Sequence, residues 1–151
     1  MMKPINTARF VFLSRSVNES FARGALAAFL AQADPTVMIG GTLPQLADIK
    51  TAVSEAVTNC IVHAYPGGLG VITLTVALYE NGLVKITVSD KGVGIPDVDR
   101  AMEPLFTTGN PEERAGLGFA VMQSFMDGVQ VRSKPGKGTK VVLKKQLSVK
   151  E

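Results

Sequence analysis

An acidic side chain and an amide side chain stand one helical turn apart in the stretch SEAVTNC, residues 54–60. Glu55 and Asn59 are four positions apart, so on a helix both side chains emerge on the same face. An amide oxygen is a hard ligand that suits Mg²⁺, and a carboxylate one turn away can accept a proton from a hydroxyl nucleophile. The same pair can also form the solvated edge of a helix packed on a core. By itself the pair leaves both interpretations open.

Two glycine clusters further along the chain bear on that choice. Asp90, Gly92 and Gly94 form a D-x-G-x-G sequence, in which a carboxylate can accept from an exocyclic amine while glycines leave room for a flat ring. Residues 114–119 (RAGLGF) place glycines at the start of a predicted helix, where free N–H groups and the helix dipole favour an anion such as phosphate. A tight turn and a flexible helix start are the plainer explanations. Three clusters in this order make coincidence improbable, and the chain lacks the P-loop and Rossmann nucleotide-binding sequences.

The hydrophobic pattern predicts the elements that position these clusters. Capping boxes at Ser16 and Thr42 predict helices over about 17–32 and 43–64, and alternation on both sides of Asn81-Gly82 predicts a β-hairpin of strands 71–79 and 83–89. The other predicted elements are strands at 8–13, 129–133 and 139–145, one helical turn near 97–101 and a helix at about 117–127. This order predicts an α+β two-layer sandwich with a mixed, mostly antiparallel sheet and helices on one face.

Length and composition exclude several classes of protein. A chain of 151 residues is expected to form a single domain, 1–151, and its one cysteine, Cys60, rules out an internal disulfide. The net charge of +3 is mild and no aromatic residues interleave the C-terminal lysines, so no direct nucleic-acid partner is expected. No apolar run reaches the roughly 20 residues of a membrane span, and the first residues do not form a signal peptide. We expect a cytoplasmic protein without a membrane partner.

The motifs together resemble a known superfamily. The sequences Glu55-x-x-x-Asn59, Asp90-x-Gly92-x-Gly94, Gly116-x-Gly118 and Gly138-Thr139 resemble the nucleotide-binding boxes of the GHKL ATPases and kinases, which share the Bergerat fold. The stretches NESFAR (18–23), SEAVTN (54–59), PLFTT (104–108) and FMD (125–127) are similar to the anti-sigma F factors of spore-forming bacteria. That family consists of small serine kinases that also hold a sigma factor inactive. The resemblance covers residues 8 to 147.

The resemblance implies a role for each matching residue. Glu55 would be the general base toward a substrate serine, Asn59 would coordinate Mg²⁺ between the ATP phosphates, and Asp90 would accept from the adenine amine. Arg114 would reach the γ-phosphate from a lid formed by residues 96–115. The other implied ATP-binding positions are Gly92, Gly94, Thr107, Thr108, Gly116, Leu117, Gly118 and Thr139.

The resemblance also implies partners. Arg23, with Asn18 and Glu19 beside it, would contact a sigma factor and an anti-anti-sigma factor, and the protein would be a homodimer. The implied function is an ATP-dependent protein-serine/threonine kinase that inhibits a sporulation sigma factor and phosphorylates the anti-anti-sigma factor.

Three other functions remain open at this point. A stress-response anti-sigma kinase would share the fold and the chemistry, and a GHKL ATPase would use Glu55 to activate water. A nucleotide-dependent binding module would not need Glu55 at all. His63, one turn past Asn59, is interpreted as a helix-end residue near the site, and Lys91 as a variable position able to touch the ligand.

Overall fold

The computed structural model describes residues 3–31, 42–102 and 114–147. Within these ranges the strands are β1 (Pro4–Leu13), β2 (Val71–Tyr79), β3 (Leu83–Asp90), β4 (Gly128–Lys134) and β5 (Gly138–Gln146). The helices are α1 (Val17–Ala31), α2 (Leu43–Asn59), α3 (Val98–Ala101) and α4 (Arg114–Phe125), and a π-helical turn, Cys60–Ala64, continues α2. No helix among them is both long and apolar enough to cross a membrane.

The five described strands form one sheet in the order β1-β2-β3-β5-β4. All four pairings are antiparallel, so the α+β class is confirmed, while the predicted mixed character of the sheet is wrong. The β2–β3 hairpin forms at the predicted strands, with Leu78 opposite Val84. Gly82 adopts φ 88° in its turn, a conformation that favours glycine.

One hydrophobic core lies between the sheet and the helices. Alternate residues of β2 and β3 are buried, and they meet the apolar stripe of α2, on which Ile49, Val53 and Val57 are fully buried. Thr42 begins α2 with the predicted capping box, since its hydroxyl accepts from Gln45 N and the Gln45 side chain accepts from Thr42 N. The side chains of α2 that do not face the core are therefore fixed in direction.

Three elements differ from the predictions by more than one residue at a boundary. β1 begins at Pro4 instead of residue 8, because its polar first residues pair with the far end of β2 despite their weak strand pattern. α2 ends at Asn59, and the remainder of the predicted helix is π-helical. α4 begins at Arg114 instead of 117, so Gly118 lies inside the helix. Glycine's low helix propensity hid that start from the sequence pattern.

Candidate functional site

Glu55 and Asn59 point from α2 at one spot on α4. A β-carbon built on Gly118 would stand 3.1 Å from Asn59 Nδ2, 3.3 Å from Asn59 Oδ1 and 3.3 Å from Glu55 Oε2. Because Gly118 has no side chain, α4 can lie directly against both polar groups. Gly118 therefore meets two predicted site residues from a distant part of the sequence. The solvated-edge interpretation does not describe Asn59, whose Nδ2 is buried.

Asp90 ends β3 with one carboxylate oxygen already occupied. Its Oδ1 accepts from Gly92 N at 2.9 Å and from Thr139 N at 3.2 Å. Two backbone donors on one oxygen fix the carboxylate plane and leave lone pairs on Oδ2 for further donors. Asp90 and Thr139 were both predicted as site residues, and this shared hydrogen bond joins them directly.

The glycines of the D-x-G-x-G loop are required by neighbouring backbone. A β-carbon on Gly92 would stand 2.1 Å from the carbonyl oxygen of Ala64, and one on Gly94 would stand 2.3 Å from that of Lys134. Gly94 also has φ 79°. The loop is thus packed tightly between the π-helical turn and the β4–β5 hairpin. The sequence interpretation explained the glycines by room for the ligand and did not include this reason.

Two polar residues that the sequence analysis missed support this loop. The hydroxyl of Ser133 accepts from Ile95 N at 2.7 Å and lies 2.8 Å from Thr139 Oγ1. The hydroxyl of Tyr65 accepts from Lys91 N at 2.7 Å and donates to the carbonyl of Val71 at 2.6 Å. Both side chains hold the segment after Asp90 from outside the predicted motifs.

A pocket that is partly open to solvent lies between α2, the π-helical turn, α4 and the segment after β3. Four predicted site residues line it, namely Asn59, Asp90, Gly94 and Thr139. The other lining residues are mostly apolar: Ala56, Cys60, His63, Ala64, Ile95, Ala101, Phe119 and Val141. An apolar cleft with a few convergent polar groups suits a flat ligand that carries a hydrogen-bond donor.

Cys60 lies in the wall of this pocket next to Asp90. Burial raises the pKa of its thiol well above the usual 9.0, and the negative charge of Asp90 and the hydrogen bond between the two groups raise it further. The pKa of Tyr65 is also raised, first by burial. Since only a thiolate is an effective nucleophile, Cys60 is a packing and hydrogen-bonding residue here.

The predicted partner residues lie on α1, and no α1 residue lines the pocket. Arg23 Nη1 is 3.8 Å from Glu19 Oε1, and about half of the Arg23 side chain is exposed. Asn18 Nδ2 donates to the carbonyl of Leu13, so this side chain fixes the connection from β1 to α1.

Some predicted residues fall wholly or partly outside the described part of the chain. Thr107 and Thr108 lie outside it entirely. Arg114, Gly116 and Leu117 lie in the first turn of α4, and their side-chain contacts fall outside the description. Lys91 is exposed, and its described contact is made by the backbone N–H alone.

Comparisons with known proteins identify the family of the chain. The family model of the histidine kinase-like ATPase domain matches residues 19–145. The chain is 55% identical over 142 residues to an anti-sigma F factor of Caldanaerobacter subterraneus, covering 94% of each chain. It is 49% identical over 144 residues to an anti-sigma F factor of Geobacillus kaustophilus, covering 95% of this chain and 94% of that one.

A solved structure shares the fold. The crystal structure of the RsbU and RsbW domains of a Mycobacterium tuberculosis protein superposes with a TM-score of 0.68 at 21% identity. The match covers 97% of this chain and 34% of that one.

Proposed function

The chain belongs to the anti-sigma F factor family, whose fold is that of the histidine kinase-like ATPase domain, and from this we propose that it is an ATP-dependent protein-serine kinase. In the proposed activity it binds and inhibits a sigma factor of the sporulation type and phosphorylates the anti-anti-sigma factor on serine. A sigma factor belongs to the transcription machinery, so the proposal includes a cytoplasmic location.

The observation that carries nucleotide binding is the carboxylate of Asp90 at the wall of an apolar pocket. Its Oδ1 is occupied by two backbone N–H groups, and Oδ2 keeps lone pairs that a ligand donor can use. The 6-amino group of adenine is such a donor. The apolar side chains of Ile95, Phe119 and Val141 can pack on a flat ring.

We assign the role of general base to Glu55, which lies against α4 beside the pocket-lining residue Asn59. The N–H groups at the start of α4 would hold the phosphates of a bound nucleotide. In the proposed reaction the serine oxygen bonds to the γ-phosphorus. The bond between the γ-phosphorus and the oxygen that bridges to the β-phosphorus breaks. The serine proton passes to Glu55 and ADP leaves. Such a transfer depends on positioning and on charge neutralisation more than on covalent catalysis.

The residues present fit Mg²⁺ bound together with the nucleotide. Asn59 Oδ1 is a hard ligand, and its buried Nδ2, which has no partner among the described residues, would be satisfied by a phosphate oxygen. The described residues hold no group of three or more His, Cys, Asp or Glu suited to a metal, so most ligands would come from phosphate and water. When bound, Mg²⁺ supplies positive charge to the phosphates.

The proposal retains Arg114 for the γ-phosphate and Thr107, Thr108, Gly116 and Leu117 for the other phosphate contacts. The start of α4 at Arg114 supports phosphate binding by backbone N–H groups, because the first N–H groups of a helix have no intrahelical partner. By the regular i to i−4 pattern, Gly118 N–H is already bonded inside the helix. We therefore assign Gly118 to the close approach of α4 and the anion contacts to the residues before it.

Exposed apolar residues support the proposed partner surfaces. On α1, Phe21 is 50% exposed and lies within one turn of the ion pair between Arg23 and Glu19. Among the described strands β1 is an edge strand, and its Val11 is 58% exposed, which supports a homodimer formed through this side of the sheet.

The experiment is phosphate transfer from ATP to a candidate anti-anti-sigma protein. Glu55→Ala should abolish transfer and leave ATP affinity nearly unchanged, because Glu55 does not line the ring pocket. Glu80→Ala is the matched control, since Glu80 is exposed in the turn between β2 and β3. Equal transfer by Glu55→Ala would contradict the base assignment. Release of inorganic phosphate with no phosphoserine would favour the ATPase alternative.

A further inference from the structure

The interface between α1 and α2 contains a polar link at its edge. Most of the interface is apolar, with Ala22 and Leu26 of α1 and Ala52 and Val53 of α2 fully buried. Beside this apolar contact the hydroxyl of Ser54 donates to Oε1 of Glu19, across 35 positions of sequence. Apolar contacts are non-directional and permit small rotations of one helix against another. A hydrogen bond to a carboxylate is directional and short-ranged, so this contact restricts such rotation.

The same carboxylate oxygen also faces the proposed docking surface. Oε1 of Glu19 lies 3.8 Å from Nη1 of Arg23, and the Arg23 side chain is 46% exposed, while that of Glu19 is 23% exposed. One oxygen therefore serves both Arg23, which a partner can reach, and Ser54, which belongs to α2. A partner carboxylate that pairs with Arg23 would leave Glu19 Oε1 to Ser54 alone.

Ser54 directly precedes Glu55 on α2. Adjacent helical residues point about 100° apart, so a helix rotation that keeps Ser54 on Glu19 also fixes the direction of Glu55. Glu55 Oε2 lies 3.3 Å from the position of a β-carbon on Gly118, so a small rotation of α2 changes its distance to the reacting groups.

We propose that Ser54 is a positioning residue, through which the docking surface formed by Glu19 and Arg23 sets the alignment of Glu55 and hence the rate of phosphate transfer. The inference rests on the proposed kinase function. It identifies the partner by chemistry: a protein that presents a carboxylate to Arg23 speeds its own phosphorylation, because it strengthens the hold of Glu19 on Ser54.

The test compares Ser54→Ala, Ser54→Thr and the control Thr51→Ala. Thr51 is an exposed hydroxyl residue of the same helix whose side chain donates to its own helix at Ala47. Ser54→Ala should lower kcat about tenfold, since misplacement of a catalytic group by a fraction of an ångström has effects of that order. KM for the protein substrate and the Kd for ATP should stay within about twofold of wild type, as expected when only transition-state alignment is lost. Ser54→Thr keeps the hydroxyl and should restore kcat, and Thr51→Ala should leave all three values unchanged.

The double variant locates the effect in one contact. Glu19→Ala removes the acceptor oxygen and should lower kcat. Combining it with Ser54→Ala should lower kcat no further than Ser54→Ala alone, because both changes remove the same hydrogen bond. Additive losses would overturn the proposal. So would an unchanged kcat in Ser54→Ala, or a parallel loss of kcat, ATP affinity and thermal stability, which marks a purely structural role.

Hydrogen exchange separates this proposal from the kinase assignment. Ser54→Ala should speed amide exchange across residues 55–59 in the ATP-bound protein, whereas Thr51→Ala should not. If the wild type transferred no phosphate to any serine, the kinase assignment would fail. The exchange rates in Ser54→Ala would still decide whether Ser54 holds α2. Unchanged exchange in Ser54→Ala would overturn the positioning role itself.

Discussion

Replacing Asp90 by asparagine exchanges one carboxylate oxygen for an NH₂ group and removes the negative charge, with almost no change in shape. The asparagine oxygen can still accept from Gly92 N and Thr139 N, so the loop after β3 keeps its support. The other carboxylate oxygen becomes an NH₂ group that faces the amine of the bound adenine. Losing a hydrogen bond to a charged acceptor and opposing two donors costs about 3 kcal/mol in total. ATP should therefore bind roughly 150-fold more weakly.

The assay is calorimetric titration with ATP beside a melting curve. Asp127→Asn is the matched control, because Asp127 also accepts from a backbone N–H, that of Gln146. Asp127 lies just before β4, at the end of the strand that is remote from Asp90 and Gly94. It should leave ATP affinity unchanged, and Asp90→Asn should melt within a few degrees of wild type. ATP affinity of Asp90→Asn within about threefold of wild type would refute the assignment of Asp90 to the adenine amine. Equal losses of affinity and stability would indicate a structural role instead.

Three further predictions follow from the described contacts. Gly118→Ala should lower phosphate transfer about tenfold by displacing Glu55 and Asn59, yet leave the melting temperature equal or higher, because alanine is about 1 kcal/mol better than glycine inside a helix. The free energy of unfolding of the wild type should fall as pH rises above about 9.0, because the Cys60 thiol ionises in the unfolded chain at a lower pH than in the folded protein. The slope should approach about 1.4 kcal/mol per pH unit. Arg23→Ala should lose partner binding in a pull-down titration while ATP affinity is unchanged.

Each of these has an outcome that contradicts it. Full transfer activity in Gly118→Ala would show that α4 does not align the two side chains. For the pH effect the control is Cys60→Ala, in which urea unfolding at pH 8 to 10 should give a shallower slope; an equal slope would assign the effect to other groups, Tyr65 among them. A fall in ATP affinity in Arg23→Ala would place Arg23 in the nucleotide site.

The sequence predicted the elements whose signals are local. The alternation around Asn81-Gly82 predicted the β2–β3 hairpin to within one residue, and the apolar stripe of α2 placed Glu55 and Asn59 on one face. Spacing within a helix or strand determines such features, so no knowledge of the remaining chain is needed.

The contacts that complete the site could not be predicted in this way because they join distant segments. Tyr65 meets Lys91 across 26 positions, Ser133 meets Ile95 across 38, and Ser54 meets Glu19 across 35. Nothing near Ser54 in the sequence distinguishes it from an ordinary helix-surface serine. The capping box predicted at Ser16 assigned the side chain of Glu19 to the start of α1. In the structure the carboxylate of Glu19 contacts Ser54 and Arg23, and the local sequence does not indicate the contact with Ser54.

The partition of the γ-phosphate of ATP between protein and water decides whether the chain is a protein-serine kinase or an ATPase. Wild-type protein, Mg-ATP and the candidate anti-anti-sigma protein are incubated, and phosphoserine and inorganic phosphate are quantified in the same sample. We expect phosphoserine in the wild type, and neither product above background in Glu55→Ala. Inorganic phosphate alone, formed at equal rates with and without the protein substrate, would contradict it.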